Sequence, residues 1–120
     1  MARTSITPVA LVGPYPTLQP SANALDIALT AADVANKNQA AQAGSRQLLI
    51  AYNSGAAPHT VTITSAVDEK KRSGDITAYS LGAAELMIFQ LKAGGWIQSD
   101  GKLYFEADHA EVKFAVVNID

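Results

Sequence analysis

The amino-acid sequence predicts an all-β fold: an antiparallel β-sandwich or jelly-roll-like body of about eight strands, preceded by an extended proline-rich N-terminal arm. Two observations support this fold class. Short runs of alternating or continuous apolar residues recur with turn-forming residues between them, and no long stretch carries the i, i+3, i+4 apolar stripe of a surface helix. Because 120 residues suit one compact domain, we divide the chain into an arm, residues 1–24, and a sandwich domain, residues 25–120.

The arm differs in composition from the rest of the chain. It holds four of the five prolines. Because proline fixes φ and biases the preceding residue towards extended backbone, the arm is predicted to be extended rather than helical. Its spaced apolar residues are unusual for a disordered tail, and such an arm lies either on its own domain or on a neighbouring subunit. The candidate partner-binding anchors are Ile6, Val9, Leu11, Val12, Tyr15 and Leu18.

The body begins with two segments of different character. Residues 25–30 alternate apolar and polar side chains and predict the first strand. Residues 31–44 are rich in alanine, which favours a helix, but they lack an apolar stripe and contain asparagine and glycine. We therefore expect a long loop there, with at most one helical turn near residues 31–35.

The clearest pattern lies in residues 47–65, QLLIAYNSGAAPHTVTITS. An apolar run at residues 48–52 predicts a buried strand, and strict alternation at residues 60–64 predicts a second strand with threonines on one face. The intervening residues 53–58 are typical of a turn. Together these segments predict a β-hairpin, whose threonine face lies either in solvent or in an interface.

The remaining strands follow at short intervals. A charge-dense turn precedes an alternating strand, and the continuous apolar run LMIFQL is predicted to lie at the centre of the core. Asp100-Gly101 between two strand-like runs predicts a hairpin, because a type I′ turn requires positive φ at both central positions. The segments are residues 68–75 for the turn, and 76–81, 86–91, 96–99, 102–106 and 112–117 for the strands.

The composition argues against several classes of function. The net charge is −2 and the pI about 5.6, so the chain has no basic field for nucleic acid. No apolar segment approaches the ~20 residues of a membrane span, and the start lacks a secretory signal. The absence of cysteine excludes disulfides and thiolate metal sites. We expect a soluble protein made in the cytoplasm, with neither nucleic acid nor membrane as a partner.

The sequence carries no catalytic motif. It has no Gly-x-Ser-x-Gly element and no phosphate-binding loop, and nothing marks one serine as activated. The two histidines, His59 and His109, lie far apart in sequence. Asp108, His109 and Glu111 are neighbours in a polar turn, but three adjacent turn residues rarely converge on one ion. We therefore predict a protein that is not an enzyme and has no cofactor and no metal.

Five segments together carry a resemblance to a known family. They are the start ARTSITPVALVGPYP, the strand HTVTITS, the turn RSGDIT, the hairpin GWIQSDGKLYFEA and the last strand VKFAVVNI. They resemble small virion proteins of tailed bacteriophages, regarded as head decoration or accessory proteins, over roughly residues 25–119 and the arm. The resemblance implies a capsid-surface protein, made in the host cytoplasm, that binds the major capsid protein and reinforces the lattice. It also implies a homo-oligomer, with a trimer favoured, and an arm that clamps the lattice.

Two other functions stay open at this point. A carbohydrate-binding sandwich would use Trp96 with Tyr79 or Tyr104 as a stacking platform for sugars. A head–tail joining or tail component of the virion would share the fold and differ only in its location. The more general interpretation of the aromatic residues is that most of them fill the core.

Overall fold

The computed structural model describes residues 2–10, 26–42, 46–67, 70 and 74–119. Within these residues the protein has ten strands and one irregular turn, α1, at Ala93–Trp96, which confirms the predicted all-β fold. The strands are β1 Thr4–Ser5, β2 Val9–Ala10, β3 Thr30–Ala31, β4 Asn38–Ala41, β5 Arg46–Asn53, β6 His59–Thr64, β7 Ile76–Leu81, β8 Leu86–Lys92, β9 Lys102–Ala107 and β10 Val112–Asn118.

The strands form two five-stranded sheets that make a sandwich. Sheet 1 has the order β1-β4-β9-β6-β7, and sheet 2 has the order β2-β10-β5-β8 with β3 also paired to β10. The pairs β1–β4 and β2–β10 are parallel, whereas the pairs among the longer strands are antiparallel. The sandwich is therefore mixed at its N-terminal strands and antiparallel elsewhere.

Residues 2–10 are built into this sandwich. β1 pairs with β4 of sheet 1 and β2 pairs with β10 of sheet 2, so one short segment contacts both sheets. Between the two strands, Ile6 is 6% exposed and packs in the core, and its N–H donates to the Gln39 carbonyl at 2.8 Å. As far as residue 10, the arm therefore lies on its own domain.

The hairpin predicted for residues 47–65 is wrong, although both of its strands exist. β5 pairs with β8 and β10 in sheet 2, whereas β6 pairs with β7 and β9 in sheet 1. The connection between them therefore crosses from one sheet to the other. Asn53, at the end of β5, is fully buried at this crossing. Its side-chain amide donates to the Ala57 and Leu81 carbonyls at 2.8 and 3.0 Å, and its Oδ1 accepts from the Gly55 N–H at 2.9 Å.

The segment before β5 also differs from the prediction. The strand expected at residues 25–30 is reduced to β3, and residues 26–29 are irregular. The loop expected at residues 31–44 contains β4, whose first three residues are buried because the strand lies between β1 and β9. Two of the buried residues of β4, Asn38 and Gln39, are polar, so the strand lacks the apolar alternation by which a sequence predicts a strand.

Two predictions for the second half are partly correct. The Asp100-Gly101 turn exists, but of these two residues only Gly101 has positive φ, 82°, so the turn is not of type I′. Residues 96–99 contribute a single bridge, Ile97 to Leu103, rather than a strand. β8 is present as predicted but is the edge strand of sheet 2 instead of its centre. Its burial alternates, so one face packs on the core and the other is exposed.

The core lies between the inward faces of the two sheets. Phe105 of β9 and Phe114 of β10 are fully buried, and their rings meet edge to face with centroids 4.8 Å apart. This contact joins the two sheets near their centres. Burying a side chain of this size contributes roughly 1.5–3 kcal/mol. Because inward and outward residues alternate along each strand, the core also fixes which side chains form the two outer faces.

Candidate interaction surface and histidine cluster

The outer face of sheet 1 is polar. Thr60, Thr62 and Thr64 are half-buried on it, which places the predicted threonine face on the outside of the sandwich. In the register of β6 and β9, Thr62 lies opposite Glu106 and Thr64 lies opposite Tyr104. A surface of this composition is compatible with water and needs no partner.

The polar groups of this face are also bonded to one another. The Arg3 guanidinium lies 4.2 Å from the centre of the Tyr104 ring and 3.8 Å from the Glu106 carboxylate, and Lys37 lies 3.5 Å from the same carboxylate. The Tyr104 hydroxyl donates to Asp100, and this hydrogen bond, with burial, raises the pKa of Tyr104. Several polar groups of the outer face of sheet 1 therefore bind one another, although exposed ion pairs of this kind contribute little to stability.

The outer face of sheet 2 has the opposite character. Leu48, Ile50 and Tyr52 of β5 alternate with core residues and so point outward. Their partners on β8 are Gln90, Ile88 and Leu86, in that order, which share the same face. Leu86 is 51% exposed and Ile88 is 58% exposed. We call these six residues the β8 face.

The β8 face borders β10, whose outward residues are buried. Ala115 lies opposite Ile50 and Val117 lies opposite Leu48, so both are outward positions, yet they are only 2% and 1% exposed. The accessible apolar surface is therefore concentrated on β8. Leu86 and Ile88, two residues apart on this strand, are thus neighbouring exposed aliphatic side chains; large exposed apolar patches mark interaction sites on soluble proteins.

Among the described strands, β8 pairs with β5 on one side only, so its other edge is open to pairing with another chain. Other sheet edges in the described part of the chain are blunted: β1, β2 and β3 are two residues long. β7 has a register shift opposite Val61 and Ile63, and Ala78 within it has φ 53°. Short strands and bulges prevent edge-to-edge pairing. β8 is seven residues long, with regular pairing to β5 and no positive φ inside it.

A second feature is a cluster that contains both histidines of the chain. β6 pairs with β9, so the start of β6 lies beside the turn after β9. There the Thr60 N–H donates to Asp108 Oδ1 at 2.9 Å. His59 Nε2 lies 2.9 Å from Glu111 Oε1, and the His59 and His109 rings stack with centroids 4.4 Å apart and planes 9° apart.

Glu111 is held in this cluster by several backbone contacts. Its carbonyl accepts from the Ser54 N–H at 3.0 Å and from the Ser54 hydroxyl at 2.8 Å, and its own N–H donates to His109 Nδ1 at 3.0 Å. A Cβ at Gly55 would lie 2.3 Å from Glu111 Oε1. The carboxylate therefore occupies space that is free only because residue 55 is glycine.

The six predicted arm anchors do not share one environment. Of the six arm anchors, Ile6 is a core residue of its own domain and Val9 is 38% exposed in β2. Leu11, Val12, Tyr15 and Leu18 lie outside the described residues. The β8 face was missed because its residues were assigned to the core.

The predicted aromatic platform is not assembled as one surface. Trp96 packs edge to face on Phe89 with ring centroids 5.4 Å apart, against the core. Tyr104 is covered on one side by Arg3, and Tyr79 is exposed on β7. The three rings therefore have different surroundings, and two of them are engaged by other side chains.

The fold and these features define a β-sandwich of two mixed sheets, of which one has a polar outer face and the other exposes Leu86 and Ile88. Comparison of the chain with protein-family models, curated proteins and solved structures finds no match in any of the three. Among the described residues, no helix is long and apolar enough to span a bilayer.

Proposed function

We propose that this chain is a non-enzymatic structural protein that acts by docking its β8 face on another protein. Following the sequence resemblance, the partner is the major capsid protein of a tailed phage, and the role is to decorate and reinforce the capsid lattice. The observation that carries the proposal is the contrast between the two outer faces. Sheet 1 is polar and internally bonded, whereas sheet 2 exposes Leu86 and Ile88 on an unblunted edge strand.

Two forces would act at this face. Burying the exposed halves of Leu86 and Ile88 contributes roughly 1 kcal/mol each, since full burial of such side chains gives about 1.5–3 kcal/mol. The free edge of β8 can also pair with an extended segment of the partner, which adds backbone hydrogen bonds. On a symmetric lattice each oligomer engages several subunits at once, so modest single contacts produce strong retention.

The arm enters this proposal in a revised form. Because Ile6 packs in the core and β1 and β2 belong to the two sheets, deletion of residues 2–20 would damage the body as well as the arm. The remaining anchors Leu11, Val12, Tyr15 and Leu18 are therefore best tested by joint replacement with serine. We propose that they add to capsid binding, so the quadruple variant should fold and bind more weakly.

The β8 face is tested by Ile88→Lys. Its matched control is Ser80→Lys, at an exposed position of β7 on the edge of the other sheet. Both proteins are mixed with heads assembled from the major capsid protein encoded nearest to this chain, and the bound fraction is measured by co-sedimentation. We expect Ile88→Lys to weaken binding at least about tenfold, equivalent to ~1.4 kcal/mol, and Ser80→Lys to bind like the wild type.

Sedimentation velocity of the same proteins without heads identifies the occupant of the face. If Ile88→Lys retains full capsid binding but dissociates a wild-type oligomer, the β8 face joins copies of this chain and does not bind the lattice. If Ile88→Lys changes neither property, the docking role is refuted. Imaging of decorated particles distinguishes a decoration protein from a joining or tail component, since these differ in position.

A further inference from the structure

We infer that His59, His109 and Glu111 form a binding site for a divalent transition-metal ion of the Zn²⁺ type. This inference is independent of the β8 face and replaces the sequence-based expectation of no metal. That expectation considered only the turn residues Asp108, His109 and Glu111. The fold brings His59, 50 residues away in sequence, to the same place, so the donors come from two separate elements, as is usual for a metal site.

The donor chemistry and spacing suit such an ion. Imidazole nitrogen and carboxylate oxygen are ordinary ligands of Zn²⁺, and bonds of about 2.0–2.1 Å in a tetrahedron require donors about 3.3 Å apart. His59 Nε2 lies 2.9 Å from Glu111 Oε1, and His109 Nδ1 lies 3.6 Å from it. One donor atom from each residue lies within 4.8 Å of the other two. Small side-chain movements therefore suffice to bring all three to one ion.

One movement is required by geometry. A metal ion lies in the plane of each imidazole that binds it, and the two rings are parallel with centroids 4.4 Å apart, so they cannot both point at one ion as stacked. The His109 side chain is 52% exposed and can turn at the cost of the hydrogen bond that its Nδ1 accepts from the Glu111 N–H, whereas the His59 side chain is only 12% exposed. His59 and Glu111 therefore form the fixed part of the site, and His109 closes it.

Neighbouring groups position the fixed ligands. Asp108 Oδ1 lies 3.7 Å from His59 Nδ1, on the opposite side of the ring from the proposed ion. This distance is longer than a hydrogen bond, and a small movement that shortened it would let Asp108 orient the His59 ring and fix which nitrogen binds the ion. Glu111 is held through its backbone by Ser54, and Gly55 leaves room for its carboxylate. Asp108 and Gly55 are thus positioning residues.

The bound ion would link the first residue of β6 to the turn between β9 and β10. Because binding to the folded state raises stability by mass action, zinc should increase the melting temperature. Three protein donors also leave a coordination position for water or for a donor from another molecule. No step of the proposed docking through β8 requires this ion.

The experiment uses the untagged protein, titrated with ZnCl₂ in a non-chelating buffer by isothermal calorimetry and by thermal unfolding. CoCl₂ serves as a spectroscopic probe, because nitrogen and oxygen ligands in a tetrahedral site give visible absorption bands. We expect saturable binding of one ion per chain and a rise in melting temperature. His59→Gln and His109→Gln should each lower the affinity at least about tenfold, as even outer positions of metal sites do.

Two further variants separate a built site from adventitious binding. Gly55→Ala removes no ligand atom but displaces the Glu111 carboxylate, so it should weaken zinc binding while the protein stays folded. Glu85→Gln changes an exposed carboxylate elsewhere and should bind zinc like the wild type. The inference is overturned if zinc leaves the melting temperature unchanged, or if His59→Gln binds zinc as tightly as the wild type. Ile88→Lys should retain zinc binding, so failure of the docking proposal and failure of the metal site are distinguishable.

Discussion

Replacing Asn53 with alanine should destabilise the protein by about 3–5 kcal/mol. The side chain is fully buried and makes three hydrogen bonds where the chain crosses between the sheets. Loss of the two bonds to the partly exposed 55–57 loop costs about 1 kcal/mol each, and the Leu81 carbonyl, left buried without this donor, adds about 1–3 kcal/mol. Against a typical total of about 5–15 kcal/mol, urea unfolding followed by circular dichroism will resolve the change.

Asn53→Asp provides a sharper version of the same test. It keeps an acceptor for the Gly55 N–H but places a carboxylate against the Ala57 and Leu81 carbonyls. Burial and these carbonyls raise the pKa of a carboxyl group at this position, and only its protonated form can donate to a carbonyl. The destabilisation should therefore shrink as the pH falls. A cost below about 1 kcal/mol for Asn53→Ala would show that the crossing does not depend on this side chain.

Three other predictions concern the core and the titration of surface groups. Phe114→Ala should cost about 3–5 kcal/mol in urea unfolding, since it removes a buried ring from between the sheets; a cost below about 1 kcal/mol would contradict this packing. A hydrogen bond from the Thr4 hydroxyl, followed by bonds from Asn36, lowers the pKa of Asp33 below 3.8. This contribution to stability is therefore present above the unfolded pKa and is lost as pH falls through the lower folded value. Thr4→Val should lose less stability on acidification from about pH 5 to about pH 2 than the wild type, and an equal loss would refute the assignment. Asp100→Asn should lower the pKa of Tyr104, measured by tyrosinate absorbance; an unchanged titration would show that this hydrogen bond does not form in solution.

The sequence predicted the strands of the sandwich better than their partners. Apolar alternation depends on neighbouring residues only, and the patterns over β5, β6, β7, β9 and β10 correspond to observed strands. Pairing depends on tertiary contacts. A hairpin and a crossing between two sheets can share the pattern of strand, turn residues and strand, so residues 47–65 alone do not distinguish them.

β8 shows that burial is also difficult to predict from sequence. A continuous apolar run shows that both faces of a strand are apolar, but it does not show what covers the second face. We assigned the run to the centre of the core, because burial by the same chain is the usual explanation. In the structure, Met87 and Phe89 pack against the core while Leu86 and Ile88 are exposed. The residues that differ from the prediction are the ones on which the proposed docking rests.

The histidine cluster could not be predicted from spacing. His59 and His109 become neighbours through the pairing of β6 with β9 and through the turn that follows it. The sequence placed His59 at the entry to a strand and His109 in a turn, and both positions are correct. Only the sheet topology, which the sequence left open, brings them together.

The N-terminal segment has a consequence for biosynthesis. β1 and β2 leave the ribosome before the other strands described here, but their partners are β4 and β10, and β10 is the last of these strands to be made. β10 also pairs with β3 and β5, so sheet 2 lacks this strand until residues 112–118 have been made. Contacts of such long sequence separation form slowly. β2 therefore cannot take its place in sheet 2, and β5 lacks one of its two neighbouring strands, before residues 112–118 emerge.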